Sequence, residues 1–356
     1  GLVVLRDGHL DRVELDPEVA GMGMEIGPLA ELDPSGASLG AVSGEPDSAL
    51  GDLHDAFAPA PVLVRVPGGV VVPAPIVVAS WVEQAGVASF PRLVVQAGED
   101  SQVVVYTHAA SADVEALVVP LVELDVGDAA RLRYLDAQLL GPSVWQLGRQ
   151  ASRVGRDGFL STALVALGGD YARLRIDSTL AGRGGSGEML AVYFGEGGQM
   201  HDVRTLQDHV APATTSDLLF KGAVQGRSHA VYSGLIHIGK LAAGVNAHQT
   251  NRNIKLSDGA WAESVPNLEI ENNDVRCSHA SAVGPVDEDQ RFYLESRGVP
   301  PAVAERLIVL GFFEEVFDRL PVPGAAGALR AEVARKLERR ELPPERRGAD
   351  RGVAPA

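Results

Sequence analysis

The pattern of hydrophobic and polar positions changes near residue 62 and then keeps one character for about 200 residues. Short runs rich in β-branched residues alternate with turns built from Gly, Pro and Asp, as is typical of strands in an all-β protein. No segment with a helical period interrupts these runs, which argues against βαβ units. The clearest runs are 62–66, 70–72, 76–78, 103–105, 116–119, 160–167, 190–194, 230–238 and 268–270.

The number of these runs decides between two β architectures. More than a dozen short strands in one block exceed what a sandwich or barrel normally holds, whereas a solenoid buries each coil against the next and can lengthen freely. We therefore predict a mainly β protein with a β-solenoid core over residues 81–284. Residues 1–80 form a mixed N-terminal region, which we expect to be truncated because Gly1 runs directly into the apolar residues 2–5.

Beyond the predicted solenoid the chain becomes helical. Asp287 and Gln290 have the spacing of a capping box at the start of the first helix. Two more helices, separated by prolines, complete a predicted helical domain over residues 285–342, and the middle one carries an apolar stripe over 303–320. Residues 343–356 are polar and rich in Pro, so we predict a disordered tail.

Charge and cysteine content narrow the class of partner. The formal net charge of −16 would repel a phosphate backbone, so we expect no nucleic acid as partner. No apolar run approaches the roughly 20 residues that a membrane span needs, and we expect no membrane association. The single cysteine, Cys277, cannot form an internal disulfide and suits a reducing compartment, which predicts a cytoplasmic protein.

Familiar catalytic motifs are absent from the sequence, including the phosphate-binding P-loop, the nucleophile elbow and the HExxH zinc motif. One pair of residues stands out instead. Cys277 and His279 lie two positions apart, so on a strand both side chains project from the same face. A thiolate and an imidazole together suit iron or zinc. Two ligands cannot complete a tetrahedral site, so any metal site here needs groups from a partner.

The residues around this pair have a recognisable order. Segments 249–260, 266–270, 274–279 and 292–298, with 56–58 and 64–70 upstream, closely resemble the SufB/SufD family of iron–sulfur cluster assembly proteins. The matches span most of the chain from about residue 46 to residue 320. The triplet Cys277-Ser278-His279 resembles the SufD branch of this family. The SufB branch typically has Glu-His-Glu there and a cysteine within the segment that corresponds to 256–265, which contains none here.

The resemblance implies a right-handed parallel β-helix flanked by helical domains. It implies a non-catalytic scaffold that pairs with a SufB-like paralogue and with a SufC-like ABC ATPase. A nascent iron–sulfur cluster, or iron, would lie at the interface with SufB and would not be bound stably by this chain alone. Cys277 and His279 occupy the positions expected to contribute there. We expect His279 to matter more, because a free thiol is mostly protonated near pH 7.

The helices after Asp287 are expected to dock the ATPase, with Phe312, Phe313 and Phe317 as candidate contacts. Phe312 and Phe313 lie about 100° apart on a helix, so one is predicted to pack inward and the other to face a partner. Three alternatives stay open: a SufB-like paralogue, a carbohydrate-active β-helix enzyme with an acidic calcium cluster, and a purely structural solenoid.

Overall fold

The computed structural model describes residues 1–46 and 48–339. The described chain folds into 21 strands and six helices. The strands are β1 (Leu2–Arg6), β2 (His9–Glu14), β3 (Glu25–Pro28), β4 (Val62–Val66), β5 (Ile76–Val82), β6 (Ala88–Ser89), β7 (Arg92–Ala97), β8 (Gln102–Ser111), β9 (Ala116–Val118), β10 (Leu121–Val126), β11 (Arg131–Leu139), β12 (Val144–Val154), β13 (Phe159–Ala166), β14 (Tyr171–Leu180), β15 (Ser186–Gly195), β16 (Met200–His209), β17 (Thr215–Val224), β18 (His229–Ile238), β19 (Val245–Lys255), β20 (Trp261–Ile270) and β21 (Val275–Pro285). The helices are α1 (Pro17–Gly21), α2 (Leu29–Leu32), α3 (Ala49–Phe57), α4 (Glu288–Ser296), α5 (Pro301–Phe317) and α6 (Pro323–Glu338).

From β10 onward, consecutive strands alternate between two sheets, so the chain winds as a parallel β-solenoid of about eight turns. Sheet A has the strand order β2-β1-β5-β8-β11-β13-β15-β17-β19-β21. Sheet B has the order β20-β18-β16-β14-β12-β10-β7-β4-β3, with β6 and β9 at its side. Tyr171, Met200 and His229 are neighbours on adjacent strands of sheet B, so one coil takes about 29 residues here. The predicted mainly β solenoid with a helical C-terminal region is confirmed.

The parallel stack begins before residue 81. β4 already pairs in parallel with β7, and β5 pairs in parallel with β8. Antiparallel pairing is confined to β2 and β3 among the described strands. The first coils were hard to separate from the N-terminal region because Pro67, Pro73 and Pro75 cut their runs into short pieces, and proline cannot donate to a ladder. At the other end the last strand closes at Pro285.

Side-chain alternation fills the interior between the two sheets. In β14 every second residue is buried, including Ala172, Leu174 and Ile176, and the residues between them are half-exposed. β15 and β17 are buried along most of both faces, because α5 and α6 cover the outer face of sheet A. Strands covered on both faces read as nearly continuous apolar runs, and this explains why 190–194 carries no polar alternation.

Three basic side chains attach the helices to the solenoid. Arg319 contacts Glu188 at 2.7 Å and Asp217 at 2.5 Å. Lys221 donates from Nζ to the carbonyl oxygen of Phe312 at 2.7 Å. Lys336 is buried, and desolvation lowers the pKa of its amine to about 8. Since buried amines need partners, its hydrogen bonds to the carbonyl oxygen of Leu167 and to Oε1 of Gln199 fix the position of α6.

Two smaller expectations concern the chain ends. Asp287 caps α4, because its Oδ1 accepts a hydrogen bond from the backbone nitrogen of Gln290 at 3.0 Å. The predicted disordered tail, residues 343–356, lies outside the described residues. Within residues 1–46 and 48–339, no helix is long and apolar enough to cross a bilayer.

Candidate functional site

The last coil of the solenoid forms an open end. β21 is the final strand of sheet A and β20 is the final strand of sheet B, and no described strand pairs with the free edge of either. No residue of β20 or β21 is buried. In contrast, their neighbours β18 and β19 alternate buried and exposed positions. The final coil therefore shows to solvent the side chains that earlier coils enclose.

Cys277 and His279 lie on the inward-facing row of this coil. In the parallel register Cys277 is beside Ala247 and His279 is beside Gln249, both of which are buried inside the preceding coil. Aligned residues on parallel strands project to the same side, so the predicted common face of the pair is the interior face of the solenoid. The alternation of side chains along a strand predicted that Cys277 and His279 share a face. The strand register shows that this face continues the solenoid interior, which no further coil covers in the described chain.

The two residues have different surroundings. Cys277 is half-buried against a small apolar cluster that includes Ile236, Ile238 and Leu268. This burial raises the pKa of the Cys277 thiol, so near neutral pH it is protonated and a weak ligand. His279 is exposed. Of the two side chains, the imidazole is therefore the one available to a ligand from outside.

The inward-facing row continues with polar side chains on both walls of the lumen, which is the interior space between the two sheets. Gln249, which lies beneath His279, is fully buried, and neither its Oε1 nor its Nε2 has a hydrogen-bond partner. Ser281 Oγ donates across the lumen to Ser264 Oγ at 2.7 Å. No sequence pattern singles out Gln249 or the serine pair, because their position at the end of the lumen depends on the register of two sheets.

A second histidine lies on the opposite face of the same sheet. His248 Nδ1 is 2.7 Å from Ser278 Oγ, and its Nε2 is 3.0 Å from Thr250 Oγ1. His248 is exposed but points away from the lumen, because it alternates with the buried Ala247 and Gln249. It is therefore a matched neighbour of His279 on the wrong face of the strand.

The donor set can hold a metal only in part. Within the described chain, no group of three or more His, Cys, Asp and Glu side chains is arranged to hold a metal ion. Cys277 and His279 supply one sulfur and one nitrogen donor, which suit iron, and a tetrahedral site would require donors from another chain.

The structure places the three candidate docking phenylalanines at the junction of helix and solenoid. Phe313 and Phe317 are buried, and the Phe313 ring lies 6.4 Å from that of Phe194 on β15. Phe312 is partly buried, with Lys221 over its ring at 4.8 Å. The inward packing of Phe313 follows the predicted geometry, but Phe317 offers no docking surface in this conformation because it belongs to the same core. Among the described residues of the helical region, the large apolar side chains that are most exposed are Phe292, Tyr293 and Leu307.

These features define a parallel β-solenoid with one unfinished end and a helical region fixed to its side. Residues 80–312 match the family model described as SUF system FeS cluster assembly, SufBD core domain. The chain belongs to the SufB/SufD family of iron–sulfur cluster assembly proteins.

Curated relatives agree with this membership. An iron–sulfur cluster assembly SufBD family protein of Mycobacterium tuberculosis is 41% identical over 225 residues, which cover 61% of this chain and 57% of that protein. The iron–sulfur cluster assembly protein SufD of Bacillus subtilis is 29% identical over 290 residues, or 80% of this chain and 66% of that protein. A SufBD family protein of Staphylococcus epidermidis is 27% identical over 262 residues, or 73% and 56%. The chain thus spans a little over half the length of the relatives with the highest identity.

Proposed function

We propose that this chain is a SufD-type scaffold subunit, without catalytic turnover of its own, that pairs through its last coil with a SufB-like paralogue. The observation that carries the proposal is the open end formed by β20 and β21. No described strand pairs with the outer edge of either sheet there, and soluble proteins normally cover such edges. A partner of the same architecture would continue both sheets at once.

Exposed apolar side chains at this end favour a protein partner over solvent. Val265 and Ile270 on β20 and Val283 on β21 are each more than a third exposed. They lie on two adjacent edge strands, and a partner that pairs with those strands would bury them. Apolar side chains scattered singly need no explanation, but this set coincides with the unpaired edges.

At such a junction the inward row would become enclosed. Cys277 and His279 would then face groups of the partner across a closed lumen, where iron or a nascent iron–sulfur cluster would be the cargo. A neutral imidazole ligates iron without first losing a proton, whereas the Cys277 thiol must ionise despite its raised pKa. We therefore propose His279 as the main contributor from this chain and Cys277 as the lesser one, in a cytoplasmic complex.

The helical region is the proposed contact for a SufC-like ABC ATPase. One face of the helical region packs against the solenoid, so a partner must bind the opposite, outer face. Phe292, Tyr293 and Leu307 are exposed there, with Phe292 at 72%. These side chains, with the edge of Phe312, replace Phe313 and Phe317 as the proposed contacts, since a docking residue has to be reachable.

The site is tested by comparing two histidines on neighbouring strands. His279→Ala should reduce cluster assembly by the purified complex at least about tenfold, a loss typical of a removed metal ligand or its close support. His248→Ala should leave assembly unchanged, because that side chain faces away from the lumen. Cys277→Ser should give the smaller defect. Equal effects of the two histidine variants, or a harsher defect in Cys277→Ser, would contradict the assignment.

The interface is tested by adding a charge at the open end. Val283→Lys on β21 should abolish co-purification with the SufB-like paralogue, because the new ammonium group would be buried without a partner. Val210→Lys is the matched control, since Val210 is similarly exposed (48% against 41%) in a turn away from the end. If the Val283→Lys variant still pairs with the paralogue, the interface proposal is wrong and the purely structural solenoid remains. Cleavage of polyuronates by the chain would instead favour the carbohydrate-active β-helix enzyme.

A further inference from the structure

A row of large, flat or flexible side chains crosses the outer face of sheet B. We call it the stacked row, and it consists of Trp145, Tyr171, Met200, His229 and Trp261. Each residue lies at or next to the first position of its strand, on β12, β14, β16, β18 and β20, and each is the direct register partner of the next. None of the five is buried.

The geometry makes this row a continuous surface. Adjacent strands lie about 4.8 Å apart, so the five residues extend over roughly 19 Å. The ring centroids of Trp145 and Tyr171 are 5.6 Å apart, and those of His229 and Trp261 are 5.7 Å apart. Trp145 and Trp261 at the two ends are 52% and 45% exposed. Tyr171 and Met200 are half-buried, so the row is an unbroken line of partly or fully exposed side chains, unlike aromatics that are exposed singly.

One end of the row is suited to a guanidinium group. Trp145 borders an open depression of about 510 Å³ that is also lined by Glu115, Pro142 and Asp170. The indole Nε1 donates to Asp170 Oδ2 at 3.0 Å, which fixes the orientation of the ring. An arginine side chain above an indole face and beside two carboxylates gains a cation–π contact and charge-assisted hydrogen bonds together.

The end of α6 contacts the turns that lead into the middle strands of the stacked row. Gln225 Nε2 donates to the carbonyl oxygen of Lys336 at 2.8 Å, and the Lys336 amine contacts Gln199 in the neighbouring turn. Arg339 donates to Glu196 Oε1 at 2.8 Å. These turns lead directly into β16 and β18, which carry Met200 and His229. The last described residue therefore contacts the turn that leads into β16, the strand that carries Met200.

We propose that residues 340–356, which we call the tail, bind along the stacked row of their own chain. The tail has a composition that fits this surface: Pro343, Pro344 and Pro355, with Arg346, Arg347 and Arg351. Prolines pack on aromatic rings with little loss of conformational entropy, and arginines stack on them. From residue 339 to residue 347 an extended chain covers up to about 26 Å, more than the roughly 10 Å from Met200 to Trp145.

Fluorescence quenching tests the contact directly. In a Trp81→Phe chain, the remaining tryptophans are the two at the ends of the stacked row. Deleting residues 340–356 should raise the acrylamide quenching constant by about half or more, since a bound side chain covers one face of an exposed indole. The control is a Trp145→Phe, Trp261→Phe chain, in which Trp81 is similarly exposed (41%) but lies on sheet A, and deletion should change nothing. Unchanged quenching in the first pair would overturn the proposal.

Trypsin cleavage after Arg346 and Arg347 provides an independent measurement on the full chain. Trp145→Ala should speed cleavage about fivefold, which corresponds to the loss of one cation–π contact. Trp81→Ala should leave the rate unchanged. If Trp145→Ala also has no effect, or if quenching of the full chain depends on protein concentration because the tail comes from a second copy, binding within one chain is wrong.

Discussion

Strands β17 and β21 belong to the same sheet and are separated by one strand, yet their surroundings are opposite. β17 is buried along most of its length, between the lumen on one side and α5 on the other. β21 has the same parallel neighbour, β19, and no buried residue. Sequence composition differs accordingly: 218–224 is mostly apolar, and 276–282 is small and polar. Burial of β17 contributes to the stability of the fold, whereas the exposed groups of β21 need a partner to become buried.

The largest expected difference between the two regions is in packing. Phe313→Ala should lower the free energy of unfolding by about 3–5 kcal/mol, because it leaves a cavity between α5 and the solenoid. Phe292→Ala, on the exposed face of α4, should change it by less than about 0.5 kcal/mol. Urea denaturation of both variants measures the contrast. Similar losses in the two would mean that the helices are not the cover that the structure indicates.

The enclosed lumen should also carry a pH dependence. Burial raises the pKa of Asp136 to about 7, above the ordinary value near 4 of the unfolded chain. The folded state then binds the proton more tightly, so this residue makes stability fall as pH rises from about 4 to about 7. Asp136→Asn should remove a fall of about 2–4 kcal/mol, measured by urea denaturation across that range. Asp258→Asn, in an exposed turn, is the control, and an unaltered pH profile in Asp136→Asn would contradict the buried carboxylate.

The smallest effect is expected at the open end. Cys277→Ser should change the stability of the isolated chain by less than about 1 kcal/mol, because the side chain is only half-buried. Ala247→Ser, its buried neighbour one strand inward, should cost about 1–2 kcal/mol by placing a hydroxyl in an apolar cluster. Thermal or urea unfolding of the two variants gives the order. A greater loss in Cys277→Ser would show that the last coil is already a closed part of the core.

The sequence predicted the solenoid because its cause is local. β-branched runs and Gly turns recur from residue 62 onward, and no helical period competes with them between there and Asp287. Alternation likewise predicted that Cys277 and His279 share a face. It did not predict the start of the stack, because prolines shorten the first strands. The burial of Phe317 was also missed, since an apolar stripe shows that one side of a helix is covered but not by what.

The stacked row shows the other limit of sequence reasoning. Its members are 26 to 32 residues apart in sequence, so Trp145, Tyr171 and Trp261 each read as an isolated aromatic. Only the register of the coils brings them into one line. Gln249 is similar: it reads as an ordinary polar strand residue, and its unpartnered amide becomes evident when the register places it beneath His279. Properties shared by several coils depend on the pitch of the winding, which short motifs do not encode.

Because Lys221 attaches the helices to β17, the number of strands between β17 and the open end sets the distance from the helices to that end. Lys221 lies on β17, and two strand steps of about 4.8 Å separate β17 from β21. The Lys221 contact and the free edge of β21 are therefore about 10 Å apart along the solenoid axis. Deleting or inserting one whole coil between them would move the edge by one step relative to the helices and leave the packing of each remaining coil intact. The distance between the helical region and the terminal strand can therefore change only in steps of one coil. Two proteins whose ends must meet in register need matching numbers of coils between these points.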